Sequence, residues 1–416
     1  MRLLFLAHRL PWPPDKGERI RAFHFLRHLA TRFAVTVTAP CDEGDVAAAR
    51  AALEDLGCRV VTARLGTLRR TLRIARALAG GEPVSLRVFR DPHITRALRR
   101  ADRFDLAFAV STAAAELLPA PTRLPLVLDM VDVDSAKWEE LAARSRDPLR
   151  RAVLRREAEL VRAAEREWAR RARRVLFAAE RERDLFAARE PDLAARARTV
   201  SNGVDLAHFD PAHPRPDPCG PRTVPRLLFV GRMDYPPNVE AAVRLARSIL
   251  PRLLAAGSEV ELHIVGAAPT LAVRRLAGGR VRVWGRVADT RPFLAHADAV
   301  AVPLAVARGI QNKLLEAMAM GRPVVASPQA AEGLPPAVRA GLRVAEDDDG
   351  FAAALLRLLT HPEEARSLGL RARALAKAHL GWERALSRLD AVLDEALAEL
   401  RSAAPPPTPA ARWPAR

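Results

Sequence analysis

The chain has 416 residues, 49% of them hydrophobic, with 67 Lys plus Arg against 49 Asp plus Glu and a formal net charge of +18. At roughly 100–200 residues per domain, this length calls for two or three domains, each with its own core, and the composition excludes a disordered chain. Three cysteines at wide, irregular spacing (Cys41, Cys58, Cys219) exclude a disulfide framework and a zinc knuckle, and point to a reducing compartment.

No apolar run approaches the ~18 residues needed to span a bilayer. The apolar start LLFLAH is flanked by Arg2 and Arg9, lacks a cleavage site and reads as a first buried strand. A cytoplasmic protein is therefore expected, one that could also lie on the inner face of a membrane. The positive charge is almost all arginine, since lysine occurs only at Lys16, Lys137, Lys313 and Lys377. Such a bias arises from base composition alone, or serves a nucleic acid, an anionic membrane surface or an anionic small substrate.

Strand-like and helix-like segments alternate along the chain. RLLFLAH (2–8) precedes a helix whose Ile20, Phe23, Leu26, Leu29 and Ala30 recur at helical spacing. AVTVTAP, a helix from Asp45 to Leu56, CRVVTARL, DLAFAVS (105–111) and LPLVLDMV (124–131) continue the rhythm. Residues 139–174 predict one long Arg/Glu-rich helical stretch with i,i+4 pairs such as Glu140/Arg144 and Glu167/Arg171. RRVLFAAERERDLF reads as strand then helix, and RARTVSNGVD as a short strand ending in an Asn-Gly turn. The Pro-rich stretch 209–226 has no periodicity and no expected place in a packed core, so it marks a domain boundary. Strands then recur at 226–232, 259–267, 281–287, 299–305 and 322–328. Helices are expected at 238–256, 269–278, 289–297, 312–320, 349–360 and 362–400, before a Pro/Ala-rich tail (401–416) expected to be disordered.

This β-α-β rhythm predicts an α/β fold of two Rossmann-like parallel-sheet domains, 1–205 and 226–380. A linker (206–225) joins them, and a last helix (381–400) is free to pack back on the first. Ligands of open parallel sheets sit beyond the carboxyl ends of the strands, so two facing domains place the site in the cleft between them. The Rossmann glycine fingerprint and the Walker loop are both absent, which disfavours a dinucleotide dehydrogenase and a P-loop nucleotidase.

The most informative stretch is AVAVPLAVARGIQNKLLEAMAMGRPVVAS (299–327). A strand leads through Arg308, Gly309, Ile310 and Gln311 to Asn312, a suitable N-cap, and a helix that Gly321 and Pro323 stop. Free N–H groups and positive dipole density at such a helix start suit a diphosphate, and Arg308 and Lys313 flank the spot. Glu316 would accept bonds from paired hydroxyls such as those of a ribose; the plain alternative is a carboxylate complementing the helix dipole. DMVDVDS places Asp132 and Asp134 at or just past the end of a buried strand. Either could position or deprotonate an acceptor hydroxyl, or cap a helix starting near Ser135. The PWPPDKGER loop sets Lys16, Gly17 and Arg19 before a helix, and His8 follows the first strand. TLRRTLRIARALAG (67–80) puts Leu68, Leu72, Ala75 and Ala79 on one face and arginines on others, the pattern of a basic amphipathic helix that docks on anionic lipid or simply packs on the core.

The 299–327 block, together with LLFVGRMDYPPN (227–238) and the turn SNGVD (201–205), resembles GT-B glycosyltransferases of family 4. HRLPWPPDKGERIRAFHFL, DMVDVDSAKW and ARGIQNKLLEAMAMGRPVVASP are similar to sugar transferases associated with PEP-CTERM/exosortase exopolysaccharide loci. The resemblance implies a GT-B fold and a nucleoside-diphosphate-sugar donor on the C-terminal domain. It further implies a glycan or lipid-linked acceptor facing the N-terminal domain, retained anomeric configuration, and no metal or other cofactor. It places Arg232 on the donor phosphates, Glu316 on the ribose as second member of a Glu-x7-Glu pair, and Gly17 beside the donor. Three departures stand out. The first glutamate of the pair is Arg308, the phosphate-binding lysine six residues after Arg232 is Asn238, and the usual N-terminal-domain histidine gives way to Asp132 and Asp134. Arg308 or Lys313 is then expected to supply the missing cation. An inactive nucleotide-sugar-binding scaffold is the alternative. A nucleic-acid-binding protein is disfavoured, with aromatic residues at 5%, a single tyrosine and no recognition motif.

Overall fold

The computed structural model describes residues 1–15, 17–41, 45–100, 104–119 and 124–403; Lys16 and most of the predicted tail lie outside them. The first sheet comprises β1 (Arg2–Ala7), β2 (Ala34–Cys41), β3 (Arg59–Arg64), β4 (Leu106–Val110), β5 (Leu126–Val131), β6 (Ala172–Phe177) and β7 (Ala197–Thr199). The second comprises β8 (Arg226–Val230), β9 (Glu261–Val265), β10 (Val281–Gly285), β11 (Ala299–Val302), β12 (Val324–Ala326) and β13 (Arg343–Val344). Their orders are β3-β2-β1-β4-β5-β6-β7 and β10-β9-β8-β11-β12-β13, with every pairing parallel. The central strands are continuous apolar runs because helices cover both faces of each sheet, as parallel sheets require. Strand order reverses between β1 and β4 and again between β8 and β11, so a crevice opens at the carboxyl end of each sheet.

The helices that matter below are α1 (Gly17–Leu29), α2 (Thr67–Ala79), α3 (Asp134–Arg144), α4 (Pro148–Arg171), α5 (Pro236–Arg244), α6 (Asn312–Ala319), α7 (Pro362–His379) and α8 (Trp382–Ala403). The single helical stretch expected over 139–174 is two helices and the start of a strand. Asp147 caps α4, accepting from the Leu149 and Arg150 N–H groups at 2.9 and 3.3 Å, and Pro148 opens it, so the chain turns there. The helices expected over 269–278 and 289–297 shrink to Leu271–Arg274 and Arg291–Ala295.

The C-terminal stretch divides at Leu380–Gly381. α7 packs on α6 in the second domain, whereas α8 returns to the first, where Trp382, Ala385, Leu389 and Leu393 share a core with Leu3, Phe25, Val37 and Phe108. Gly203 makes that return possible, since a β-carbon there would sit 2.6 Å from Trp382 Cα. The linker also departs from expectation. It holds no helix or strand, yet Phe209 and Cys219 pack against the second core. Arginines satisfy its polar groups: Arg373 donates to the Phe209 carbonyl at 2.9 Å and Arg226 to the Asp217 carboxylate at 2.6 Å. A proline-rich segment can lie on a core when side chains from that core meet its carbonyls. Among the described residues no helix is long and apolar enough to cross a membrane.

Candidate functional site

On the C-terminal face of the cleft, β8 runs into Gly231 and Arg232. A β-carbon at Gly231 would meet Asn238 Nδ2 at 2.8 Å and Lys313 Nζ at 3.3 Å, so any side chain there would push these two groups aside. Asn238, in the first turn of α5, donates to the Arg232 carbonyl at 2.9 Å and accepts from Lys313 Nζ at 2.6 Å. Lys313 reaches across from the first turn of α6, 5.2 Å over the Phe229 ring. An ammonium therefore stands at the tip of the side chain where the resembling family carries lysine, but it arrives from a different helix. Burial pushes the Lys313 ammonium down to about 8 against the pull of Glu316, and pushes the Glu316 carboxyl up to about 7 against the pull of Lys313. Arg232 is oriented by Asp234, its Nε lying 3.0 Å from Oδ1.

Gly309 adopts φ +57° in the loop before α6, Ile310 is buried, and Gln311 Nε2 closes the turn on the Arg308 carbonyl at 2.9 Å. Asn312 is the first helical residue, not the cap. Gln311 holds the cap position without a side-chain bond, and Asn312 Oδ1 instead accepts from Asn202 Nδ2 across the cleft at 3.3 Å. Gly17 faces the same point, since a β-carbon there would lie 3.6 Å from Asn312 Nδ2. Arg308 does not join the Lys313 cluster. Its guanidinium pairs with Glu182 at 3.3 Å and Glu140 at 3.4 Å, both in the N-terminal domain.

On the N-terminal face, β1, β4 and β5 lead to His8, Ser111 and Asp132. Ser111 Oγ lies 3.0 Å from His8 Nδ1, and His8 Nε2 lies 3.6 Å from Glu18 Oε2. Burial raises the Glu18 carboxyl, but the hydrogen bond and charge of His8 and the Arg9 guanidinium (2.6 Å) outweigh it and hold the group well below the usual carboxylate range. Arg19 pairs with Asp15 at 3.4 Å. Asp132 Oδ1 is buried and accepts no hydrogen bond among the described residues. Burial, then the charges of Glu182 and Asp134, push this carboxyl up to about 7. Burial also raises Asp134, against the pull of Lys137, whose Nζ lies 5.7 Å over the Tyr235 ring of the other domain.

Neither aspartate caps α3. The Val133 N–H goes to Glu182 Oε2 at 2.9 Å, and Ser135 gives its N–H and hydroxyl to Glu165 at 3.0 and 2.6 Å. With those donors satisfied elsewhere, Asp132 and Asp134 are left to the cleft. Below them, buried Arg21 holds Asp129 through two bonds of 2.7 and 2.8 Å. It also donates to the Val200 carbonyl and to Asn202 Oδ1 at 2.8 and 2.9 Å. Arg21 thus sets the turn that carries Asn202 to Asn312.

Residues 224–361 match the family model for glycosyl transferases, group 1. Among solved structures the chain is similar to sucrose-phosphate synthase from Thermosynechococcus elongatus, at 20% identity and TM-score 0.71 over 96% of this chain and 99% of that one. It is similar to Anabaena HepE in complex with UDP and glucose, at 17% identity and TM-score 0.66 over 95% and 100%. It also resembles the trehalose 6-phosphate synthase of Burkholderia multivorans, at 13% identity and TM-score 0.66 over 96% and 99%. No curated protein matches it in sequence. At these identities the likeness is one of fold, and the fold is GT-B.

Seen as a GT-B cleft, the sequence-derived candidates fall into two sets. Arg232, Asn238, Lys313 and Glu316 stand together on the C-terminal side, while Asp132 and Asp134 face them from the other. Arg308 links the two sides. Glu18, Arg21, Glu165, Glu182 and Tyr235 join the site without a motif to mark them. Glu18 had a local signal, a carboxylate in the first turn after the Gly17 loop; Glu165 and Glu182 had none, because only the chain path brings them to α3. Among the described residues no group of three or more His, Cys, Asp or Glu side chains is placed to hold a metal ion.

Proposed function

We propose that the protein is a retaining glycosyltransferase that moves a sugar from a nucleoside diphosphate to a glycan or lipid-linked acceptor, in exopolysaccharide biosynthesis. Side-chain cations, not a metal ion, meet the diphosphate charge. The observation that carries this reading is the Lys313–Asn238–Arg232 cluster beside Glu316 at the start of α6, within the stretch that matches glycosyl transferases group 1. The anomeric carbon–oxygen bond to the diphosphate breaks, the acceptor oxygen bonds to the same face of that carbon, and the acceptor proton leaves with the diphosphate or to Asp132. Lys313 and Arg232 stabilise the charge growing on the leaving oxygen, a preorganised role costing no rearrangement during the reaction. Glu316 takes the ribose hydroxyls. Arg308, turned toward Glu182 and Glu140, holds the two domains in register and does not touch phosphate.

The test is a panel of nucleotide sugars, uridine donors first because the similar HepE structure contains UDP and glucose. A cognate donor raises the melting temperature by mass action and is transferred or slowly hydrolysed. Proton NMR of the product then reads the anomeric configuration. Stabilisation without turnover on any acceptor would instead support a nucleotide-sugar-binding protein, and no stabilisation by any donor would overturn the assignment of the site.

A further inference from the structure

Helix α2 presents an amphipathic pattern the wrong way round for a core helix. It packs on the domain through Arg73, Ile74 and Ala77, with Arg73 paired to Asp91 and donating to the Val88 carbonyl at 3.3 Å. At about 100° per residue, Leu68, Leu72, Ala75 and Ala79 form a stripe directly opposite that packed side. Leu68 is 74% exposed and Leu72 49%, with Leu78 beside them at 54%. Arg69 and Arg76 flank the stripe, and none of Arg69, Arg70 and Arg76 joins an ion pair among the described residues. No Asp or Glu occurs from Leu65 to Gly81.

A second helix of the same domain, α4, approaches the end of α2, its Arg156 lying 3.9 Å from the β-carbon position of Gly81. Leu149 and Val153, one turn apart near the start of α4, are 75% and 58% exposed among Arg150, Arg155 and Arg156. Two helices of the N-terminal domain therefore both turn leucine or valine to water within rows of arginine.

We propose that this face, led by α2, docks in the plane of an anionic bilayer, the leucines entering the headgroup–acyl boundary and the arginines meeting lipid phosphates. Charge selects this occupant. A two-fold contact between copies of the chain would set the same arginine rows against each other. A nucleic acid would leave the leucines uncovered, and no aromatic side chain stands among them for base stacking. The stripe lies on the N-terminal, acceptor-facing domain, which fits a lipid-linked acceptor, but the docking itself does not depend on the glycosyltransferase reading.

The full chain is sedimented, without any donor, with vesicles of phosphatidylcholine alone or with roughly a third phosphatidylglycerol. The runs are made at about 0.05 M and about 0.5 M salt. Binding to the anionic vesicles only, weakened several-fold at high salt, is expected. Leu68→Asp/Leu72→Asp, at exposed positions that leave the core intact, should lower binding at least tenfold, and Arg69→Glu/Arg76→Glu should do the same without changing the melting temperature. No binding to anionic vesicles at low salt, or equal binding by the leucine variant, overturns the proposal. A dimer in sedimentation velocity that the leucine variant dissolves would assign the face to a second copy and overturn it as well. Donor stabilisation, measured separately, keeps a failure here distinct from a failure of the active-site assignment.

Discussion

Lys313 and Glu316 lie one turn apart on α6 and burial shifts them in opposite senses, the ammonium down to about 8 and the carboxyl up to about 7. A buried base held near neutrality is a poor structural cation and a useful one for an incoming diphosphate, whose charge restores the proton. Lys313→Ala should lower kcat by about 10²–10³, the usual cost of losing one preorganised donor to a developing oxyanion. Arg308→Ala should cost far less in kcat, and a steady-state assay of the two variants separates the roles. The pH dependence of donor affinity has a definite sign. Glu316 accepts ribose hydroxyl bonds best when ionised, so affinity rises as pH passes about 7; Lys313 binds phosphate only when protonated, so affinity falls above about 8. Calorimetric titration with the nucleoside diphosphate should trace that narrow bell, and Lys313→Arg should remove its alkaline limb.

At the scale of elements, the loop before α6 and the start of α3 meet face to face. A β-carbon on Gly309 would collide with the Asp132 carboxylate, and its φ of +57° already favours glycine. Gly309→Ala should therefore hold the cleft open and lower turnover at least tenfold, with small-angle scattering reading the widened particle. The loop-helix block was legible in the sequence because strand, glycine turn and helix start follow one another within thirteen residues, 302–314. Local sequence makes Asn312 a cap, but the group that claims its side chain, Asn202, is more than a hundred residues away. The capping alternative for Asp132 and Asp134 fell for the same reason, since Glu165 and Glu182 had filled that role. Arg21 stands on a helix of ordinary amphipathic pattern, where arginine is expected in solvent. Its four bonds to Asp129, Val200 and Asn202 exist only once three segments converge. Arg21→Ala leaves Asp129 buried and unpaired, which should cost about 3–5 kcal/mol in urea unfolding.

For the whole molecule, the net charge of +18 separates into distinct uses. Arginines bridge the two domains at Arg181–Glu332 (2.6 Å), Arg144–Glu240 (3.4 Å) and Arg286–Asp15 (3.5 Å). Exposed pairs of this kind contribute roughly 0–1 kcal/mol each, so they bias closure without locking it. The apolar return of α8 is the stronger tie. Trp382→Ala should lower stability by about 3–5 kcal/mol in denaturant, while donor-induced stabilisation persists because α6 and α7 stay in the second domain. The sequence by itself determined the alternation of strand and helix, the two-domain division and the residue types around α6, since these depend on periodicity and neighbours in the chain. Only the tertiary structure decided that Lys313 stands at the tip of Asn238, that Arg308 turns to the opposite domain, and that the leucines of α2 face outward. Each of those is a contact, or its absence, between segments far apart in sequence, and no local pattern encodes which partner a side chain meets.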